Sequence, residues 1–264
     1  MLFDSHIHFF PDKLKGKVLP KLSAIANSPY FRDETLESTL AQNKKSAITH
    51  ALALHIATNP KQESSVNNFA ISCQSENIIN FGSVHPESPN KFYELEKIKE
   101  NGLKGIKLHP DYQEFFVEDK NVYPIYEACQ KLGLMIAFHA GVDPYSPKVT
   151  HSTPQAIKQV ATHFPSLTII AAHMGAMQLS DDVLEHLVGT ENVYLDTAFI
   201  SEFLDVKTFE KIVLAHGCDK ILFGTDSPWS TAETERKIID SSSLSADTLE
   251  KIYFKNAFKL FEIE

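Results

Sequence analysis

Cysteine, arginine and long apolar runs are scarce in this sequence of 264 residues. Its three cysteines, Cys73, Cys129 and Cys218, are widely spaced, which excludes a disulfide framework and a Cys₄ zinc site. No run approaches the roughly 18 apolar residues of a transmembrane helix. The opening MLFDSHIHFF lacks the basic and apolar regions of a signal peptide. We therefore expect a cytoplasmic protein with no membrane partner.

Positive charge is also in deficit. Lysine and arginine total 25 against 34 acidic residues, which gives a net charge of −9 and argues against a nucleic-acid partner. Arg32 and Arg236 are the only arginines. Because arginine pairs often bind carboxylates, their scarcity disfavours a substrate with several carboxylates. Arg32 is nevertheless a candidate clamp for one carboxylate of a small-molecule substrate.

What is abundant is a repeated order of apolar run, polar turn, amphipathic segment and glycine. The eight apolar runs are residues 2–9, 47–56, 79–84, 103–108, 134–139, 167–173, 193–197 and 221–225. Strands that alternate with helices form parallel sheets covered by helices. Eight such units in about 260 residues predict an α/β protein, a (β/α)₈ TIM barrel whose single domain spans residues 1–264. An open doubly wound sheet is the alternative.

Glycines and one Thr-Pro pair mark the predicted helix ends. Helices over residues 92–101, 123–132 and 206–216 each precede a glycine (Gly102, Gly133 and Gly217), which we expect to cap them in the left-handed conformation. Thr153 before Pro154 predicts a helix start. The irregular first connection, residues 10–34, is either a lid over a site or a plain surface excursion.

Polar residues follow the apolar runs at the end where a TIM barrel carries its catalytic groups. His6 and His8 are two residues apart on the first strand, so both rings face the same side. His139 and His173 end the fifth and sixth runs, and Asp226 follows the eighth. Neutral imidazoles and a carboxylate suit a borderline metal such as zinc. The plain alternatives are exposed strand histidines, a hydrogen-bonded core histidine at His173, and an N-cap at Asp226.

Lys107, on the fourth run with His109 on the same side, has three interpretations. Carbamylated, it could bridge two metals. Unmodified, it could bind a substrate carboxylate or stabilise developing negative charge. It could also pair with a neighbouring acid for structural reasons.

Taken together, these motifs resemble the amidohydrolase superfamily, and within it the amidohydrolase-related branch of metal-dependent hydrolases with a TIM-barrel fold. The motifs are H-x-H at His6, K-x-H-P at Lys107, the histidines that end the fifth and sixth runs, G-T-D-x-P-W around Asp226, and the final KNAFKLF. The resemblance extends from Asp4 to the C-terminus.

The resemblance implies a divalent metal, expected to be zinc, held by His6, His8, His139 and Asp226. His173 would be a further ligand or a catalytic group. One ion is preferred, and two would require a bridging Lys107. Metal-activated water would attack a small-molecule amide, ester or lactone, with Asp226 taking its proton and His173 and Lys107 stabilising the oxyanion.

The same branch implies an alternative activity, a zinc-dependent non-oxidative decarboxylase of a carboxylated aromatic or cyclic substrate. Lys107, where related nucleases carry glutamate, and the net charge disfavour a nuclease. Ligands spread over several strand ends disfavour a purely structural metal. A homodimer is left open. Six aromatic residues could line the pocket or merely pack between loops: Phe9, Phe10, Tyr112, Phe115, Tyr145 and Trp229.

Overall fold

The structure, a computed structural model, describes residues 1–263, in which parallel strands alternate with helices. The strands are β1 Phe3–Ile7, β2 His50–Leu54, β3 Ile78–Phe81, β4 Gly105–Leu108, β5 Met135–Phe138, β6 Ile169–Ala171, β7 Val193–Asp196 and β8 Ile221–Leu222. The α-helices are α1 Leu19–Ala26, α2 Leu36–Lys45, α3 Glu63–Ser72, α4 Lys91–Glu100, α5 Pro110–Gln113, α6 Tyr123–Leu132, α7 Pro154–His163, α8 Ser180–Asp182, α9 Val206–His216, α10 Ala232–Asp240, α11 Ala246–Glu250 and α12 Asn256–Phe261. Two π-helical turns, Val183–Leu187 and Lys251–Lys255, and four 3₁₀ turns, Asp12–Leu14, His173–Gly175, Ile200–Glu202 and Cys218–Lys220, complete the elements.

Consecutive strands pair in parallel around a ring. The ladders run from β1 to β3 and from β4 to β8. Gly82 N donates to Gly105 O (3.0 Å) and joins β3 to β4, while Ser5 N donates to Phe223 O (2.7 Å) and joins β1 to β8. The predicted TIM barrel is confirmed, and the open sheet is wrong.

The strands place alternate side chains inside the barrel and outside it. In β4, Ile106 and Leu108 pack in the layer between strands and helices, whereas Lys107 faces the interior. Phe81 lies in the interior cluster, and its ring occupies the space where a Cβ on Gly105 would sit, at 2.7 Å. Glycine at this position therefore makes room for the phenylalanine.

A register shift in β1 determines where its histidines point. The pairing of β1 with β2 is irregular between Asp4 and Ile7. Phe3 packs with the interior cluster, and His6, three residues later, also reaches inward to Asp196 of β7. Strict alternation would place these two side chains on opposite faces. The irregularity therefore allows both Phe3 and His6 to face the barrel interior.

The predicted helix boundaries are largely confirmed. α6 and α9 match the predicted ranges, and α4 begins and ends one residue early. Gly133 caps α6 in the left-handed conformation (φ 65°, ψ 35°), and Thr153 Oγ1 accepts from Ala156 N at the start of α7. The cap predicted at Gly217 is wrong, because its ψ of 120° is extended. In the described part of the chain, no helix is both long and apolar enough to cross a membrane.

Candidate metal centre

Three of the predicted ligands meet at the carboxyl ends of β1 and β8. His6 Nε2 lies 3.2 Å from His8 Nε2, and Asp226 Oδ1 lies 3.4 Å from the first nitrogen and 3.1 Å from the second. Ligands about 2.0–2.2 Å from a tetrahedral ion are separated by roughly 3.3–3.6 Å. This group, called the β1–β8 group below, therefore has the spacing of donors around one ion.

The other ring nitrogen of each histidine has a fixed acceptor. His6 Nδ1 donates to Asp196 Oδ2 (2.9 Å), and His8 Nδ1 donates to the carbonyl of Leu54 (2.8 Å). With the proton on Nδ1, each Nε2 of a neutral ring presents a lone pair. Two lone pairs and the Asp226 carboxylate then face one another at close range. That arrangement repels itself unless a cation lies between the donors, so the residues fit a divalent metal.

Burial and neighbouring charge keep these donors in the forms that bind metal. Burial lowers the pKa of His6 to about 4, so the ring is neutral at pH 7. Burial pushes the pKa of Asp226 upward, but the adjacent His6 and His8 rings outweigh it and lower that pKa below its ordinary value. Neutral imidazoles and an ionised carboxylate are the states that coordinate metal.

His173 and His139 form a pair beside the β1–β8 group. His173 Nδ1 donates to Ala198 O (2.9 Å), and its Nε2 lies 3.1 Å from His139 Nδ1. The His173 ring is 5.3 Å from that of His6, centroid to centroid. The structure thus brings all five predicted ligands to one region, but only His6, His8 and Asp226 into one compact set. The ligand roles of His139 and His173 stay predictions.

A second group of two histidines and one aspartate lies nearby, formed by His109, His139 and Asp143 and called the β4–β5 group. Asp143 Oδ2 is 3.6 Å from His109 Nε2 and 3.5 Å from His139 Nε2. The two rings, however, are stacked at 4.3 Å with planes 8° apart. A ring lone pair lies in the ring plane, so stacked rings cannot both aim at one ion. This group has metal-binding composition without metal-binding geometry.

Lys107 lies in the barrel interior with 1% of its surface exposed. Burial lowers the pKa of its ammonium to about 8, while Asp196, Asp226 and Asp143 act in the opposite direction. At neutral pH most of it remains charged. It is thus a buried cation whose charge interacts with three carboxylates.

The structure corrects the expectation for Arg32 and decides between the alternatives for two of the aromatic residues. Arg32 is not a free carboxylate clamp, because its guanidinium donates to His8 O, Asp33 O and Ser227. Phe9 and Phe115 are buried in the core rather than lining a pocket. Phe9 continues the apolar run of β1 and Phe115 follows α5, and the sequence pattern does not distinguish these positions from the mouth.

A cavity of about 310 Å³ lies among the loops at the mouth, and residues of the first connection, 10–34, line part of it. The end of that connection forms one wall, with Phe31, opposite Phe199 and Trp229. The connection contains α1 and is not the wholly irregular segment expected. Tyr112 stacks on His109 at 3.7 Å, and Tyr145 is half exposed beside it.

Sequence reasoning missed two aspartates. Asp196 ends β7 and orients both His6, through Oδ2, and the His173 backbone, through Oδ1. Asp143 lies in the loop after His139, and burial raises its pKa to about 7. Asp196 could have been predicted as a site residue, because a carboxylate at the end of an apolar strand is costly unless it is paired. Asp143 offered none, because aspartate is ordinary in a loop.

Comparisons with known proteins agree with this barrel. The chain resembles an uncharacterised TIM-barrel protein from Bordetella bronchiseptica (16% identity, TM-score 0.77, covering 99% of this chain and 98% of the other). It also resembles a 2,6-dihydroxybenzoate decarboxylase from Rhizobium (16%, 0.70, 99% and 99%). A third similar structure is 5-carboxyvanillate decarboxylase from Novosphingobium aromaticivorans, complexed with manganese and a nitrobenzoic acid (15%, 0.72, 100% and 96%).

At these identities the likeness establishes the fold. A search of curated proteins finds no match. The amidohydrolase family profile matches residues 3–263, nearly the whole chain, and includes every residue of the β1–β8 group. This chain therefore belongs to the amidohydrolase family.

Proposed function

We propose that this protein is a metal-dependent decarboxylase that removes CO₂ from a small aromatic or cyclic carboxylic acid without an oxidant. The observation that carries the proposal is the convergence of the His6, His8 and Asp226 donor atoms within 3.4 Å, with the buried Lys107 cation in the same barrel interior. The named decarboxylases among its structural neighbours, one complexed with manganese, support this choice over a hydrolase. One zinc or manganese ion is the expected cofactor.

The reaction requires a positive field around the carboxylate and a proton at carbon. A divalent ion at His6, His8 and Asp226 would supply Lewis-acid charge at the substrate oxygens. Lys107, whose pKa is about 8, adds a second positive charge with which a single carboxylate or phenolate can pair. Neither arginine is free to bind substrate, because Arg32 donates to protein oxygens and Arg236 pairs with Asp240 (3.3 Å) on α10. A substrate with one acidic group therefore fits better than one with several.

Loss of CO₂ breaks the bond between the ring carbon and the carboxyl carbon and leaves the electron pair on the ring carbon. A proton must replace the carboxyl group there. We assign Asp226 and His173 to move that proton from a substrate hydroxyl or a water molecule to the ring carbon, because Asp226 Oδ1 belongs to the donor set and the His173 ring lies 5.3 Å from that of His6. Burial lowers the pKa of His173, so its ring accepts a proton only briefly and returns it readily.

A hydrolase of an amide, ester or lactone is the second candidate. It is favoured by the ionised Asp226 beside the histidine nitrogens, where a carboxylate can take a proton from an attacking water. The two candidates therefore differ in which bond breaks rather than in which residues act.

One experiment separates them. The purified protein is stripped with a chelator and reloaded with Zn²⁺ or Mn²⁺. It is then assayed for CO₂ release from carboxylated phenols, for proton release from ester and lactone panels, and for amine release from an amide panel. We expect metal-dependent CO₂ release, lost in Asp226→Asn and retained in Asp240→Asn, a surface control. Proton or amine release alone would favour the hydrolase, and activity unaffected by chelation would overturn both.

A further inference from the structure

We propose that Arg32 is a positioning residue of the metal centre, which locks the His8 segment to the Asp226 segment. The inference rests on the metal site proposed above, but not on which reaction that site performs. Arg32 lies near the end of the first connection, residues 10–34, far in sequence from either ligand segment. It is 8% exposed in spite of its charge.

All three nitrogens of the guanidinium donate hydrogen bonds, most of them to residues of the ligand segments. Nη2 donates to His8 O (2.5 Å) and, at 3.4 Å, to Ser227 O. Nε donates to Ser227 Oγ (3.0 Å), and Nη1 donates to Asp33 O (2.8 Å). Ser227 directly follows Asp226. One planar guanidinium therefore contacts the backbone of His8, directly after β1, and that of Ser227, the residue next to the ligand Asp226.

Direct backbone hydrogen bonds join the same two ligand segments. Ser227 O also accepts from His8 N (2.7 Å), and Asp226 N donates to His6 O (2.9 Å). Arg32 bridges the two carbonyls on the other side. The ligand segments are thus held to each other twice, once by direct backbone bonds and once through the guanidinium.

The backbone at Asp226 explains why a brace is needed. Its φ is +61°, in the left-handed region that non-glycine residues rarely adopt. Such a conformation persists only where the surroundings over-determine it. Arg32, by holding Ser227 through Oγ and O, limits relaxation of the residue that presents the carboxylate.

This assignment differs from that of a substrate clamp. A clamp needs N–H groups that face an open site, whereas all three nitrogens of Arg32 donate to protein oxygens. Burial lowers the pKa of the guanidinium to about 10, so it stays charged at neutral pH and needs these partners. Its loss should therefore weaken metal binding before it alters substrate binding.

The test measures Mn²⁺ affinity directly, by the electron paramagnetic resonance signal of free Mn²⁺ titrated against metal-free protein. Arg32→Met should weaken binding about 10- to 100-fold, the range found when groups that orient ligands are removed. Arg236→Met is the matched control, because the other arginine lies on the exposed face of α10, and should bind as the wild type does. Ser227→Ala removes only the Nε partner and should have a smaller effect than Arg32→Met.

Arg32→Lys keeps the charge, and it remains informative if Arg32→Met does not fold. Lysine lacks the three separated nitrogens with which Arg32 reaches Ser227 Oγ, Asp33 O and His8 O. We therefore expect at least a fivefold loss of affinity with a thermal midpoint close to wild type. Mn²⁺ affinity unchanged in folded Arg32→Lys and Arg32→Met would overturn the inference. So would unchanged affinity with a raised KM, which is the signature of a clamp. If the wild-type protein binds neither Mn²⁺ nor Zn²⁺, the proposed function itself is contradicted.

Discussion

The β1–β8 group and the β4–β5 group each contain two histidines and one aspartate at the mouth of the same barrel. In the first, the rings of His6 and His8 are 76° apart and each Nδ1 has a fixed acceptor. In the second, the rings of His109 and His139 are stacked. Within residues 1–263, His109 Nδ1 and His139 Nε2 are buried without a hydrogen-bond partner. Ring orientation and outer hydrogen bonds, rather than composition, distinguish a metal site from a cluster of the same residues.

The largest effect should separate the two groups by metal affinity. His8→Ala removes a donor from the β1–β8 group, and we expect Zn²⁺ affinity to fall by more than about 100-fold, beyond the range for outer partners. His109→Ala, in the β4–β5 group, should change it less than threefold. Competition with a chromogenic chelator measures both. Equal losses would show that the two groups form one metal site.

The next effect concerns the carboxylates. Asp196→Asn leaves His6 Nδ1 with a weaker acceptor, so metal affinity should fall about 10- to 100-fold. Asp143→Asn, which alters the other group, should leave affinity within a fewfold of wild type. Calorimetric titration of both variants tests the contrast. A larger loss for Asp143→Asn would contradict the distinction.

Acid sensitivity should be common to both groups in the metal-free protein. The pKa of His6 is lowered to about 4 by burial, and burial lowers those of His109 and His139 well below their usual value. The unfolded chain therefore binds more protons below about pH 6.5. Protonation of His6 in the unfolded chain should lower the free energy of unfolding by about 2 kcal/mol between pH 7 and pH 5, and His109 and His139 should lower it further.

Urea unfolding at the two pH values, with chelator present, measures this loss. His109→Phe removes one buried neutral imidazole and keeps a ring in the stack. The difference in unfolding free energy between pH 7 and pH 5 should shrink in that variant, because one fewer imidazole gains a proton on unfolding. An unchanged difference would mean that His109 is protonated in the folded protein or that it is not buried.

The smallest effect should come from Tyr112, the outer ring of the stack on His109. Tyr112→Leu should lower the free energy of unfolding by about 1 kcal/mol, the usual worth of an aromatic pair. Metal affinity should not change, because Tyr112 stacks on His109 of the β4–β5 group and not on a residue of the β1–β8 group. Urea unfolding and a metal titration on the same sample report the two quantities. A fall in metal affinity would link the stack to the metal.

Local sequence patterns were sufficient for the barrel and for part of the site. Eight apolar runs separated by helical segments predicted eight strands, and the H-x-H spacing of His6 and His8 predicted two rings on one side. These are short-range properties, since one strand determines both. The shift in β1 that lets Phe3 and His6 both face inward left no signal in the run itself.

Relations between strands were harder to predict. His139 lies against His109 and outside the compact β1–β8 set. This position depends on the packing of β4 against β5, which strand periodicity does not encode. The use of Arg32 as a brace depends on where a connection of some 25 residues folds back. A charged side chain in a loop fits a clamp and a brace equally well until its hydrogen-bond partners are known.

Anomalous diffraction from crystals grown with Mn²⁺ or Zn²⁺ tests the central claim most directly. We predict one strong peak within coordination distance of His6 Nε2, His8 Nε2 and an Asp226 oxygen, and none centred between the stacked rings of His109 and His139. A peak in the β4–β5 group, with none in the β1–β8 group, would contradict the account.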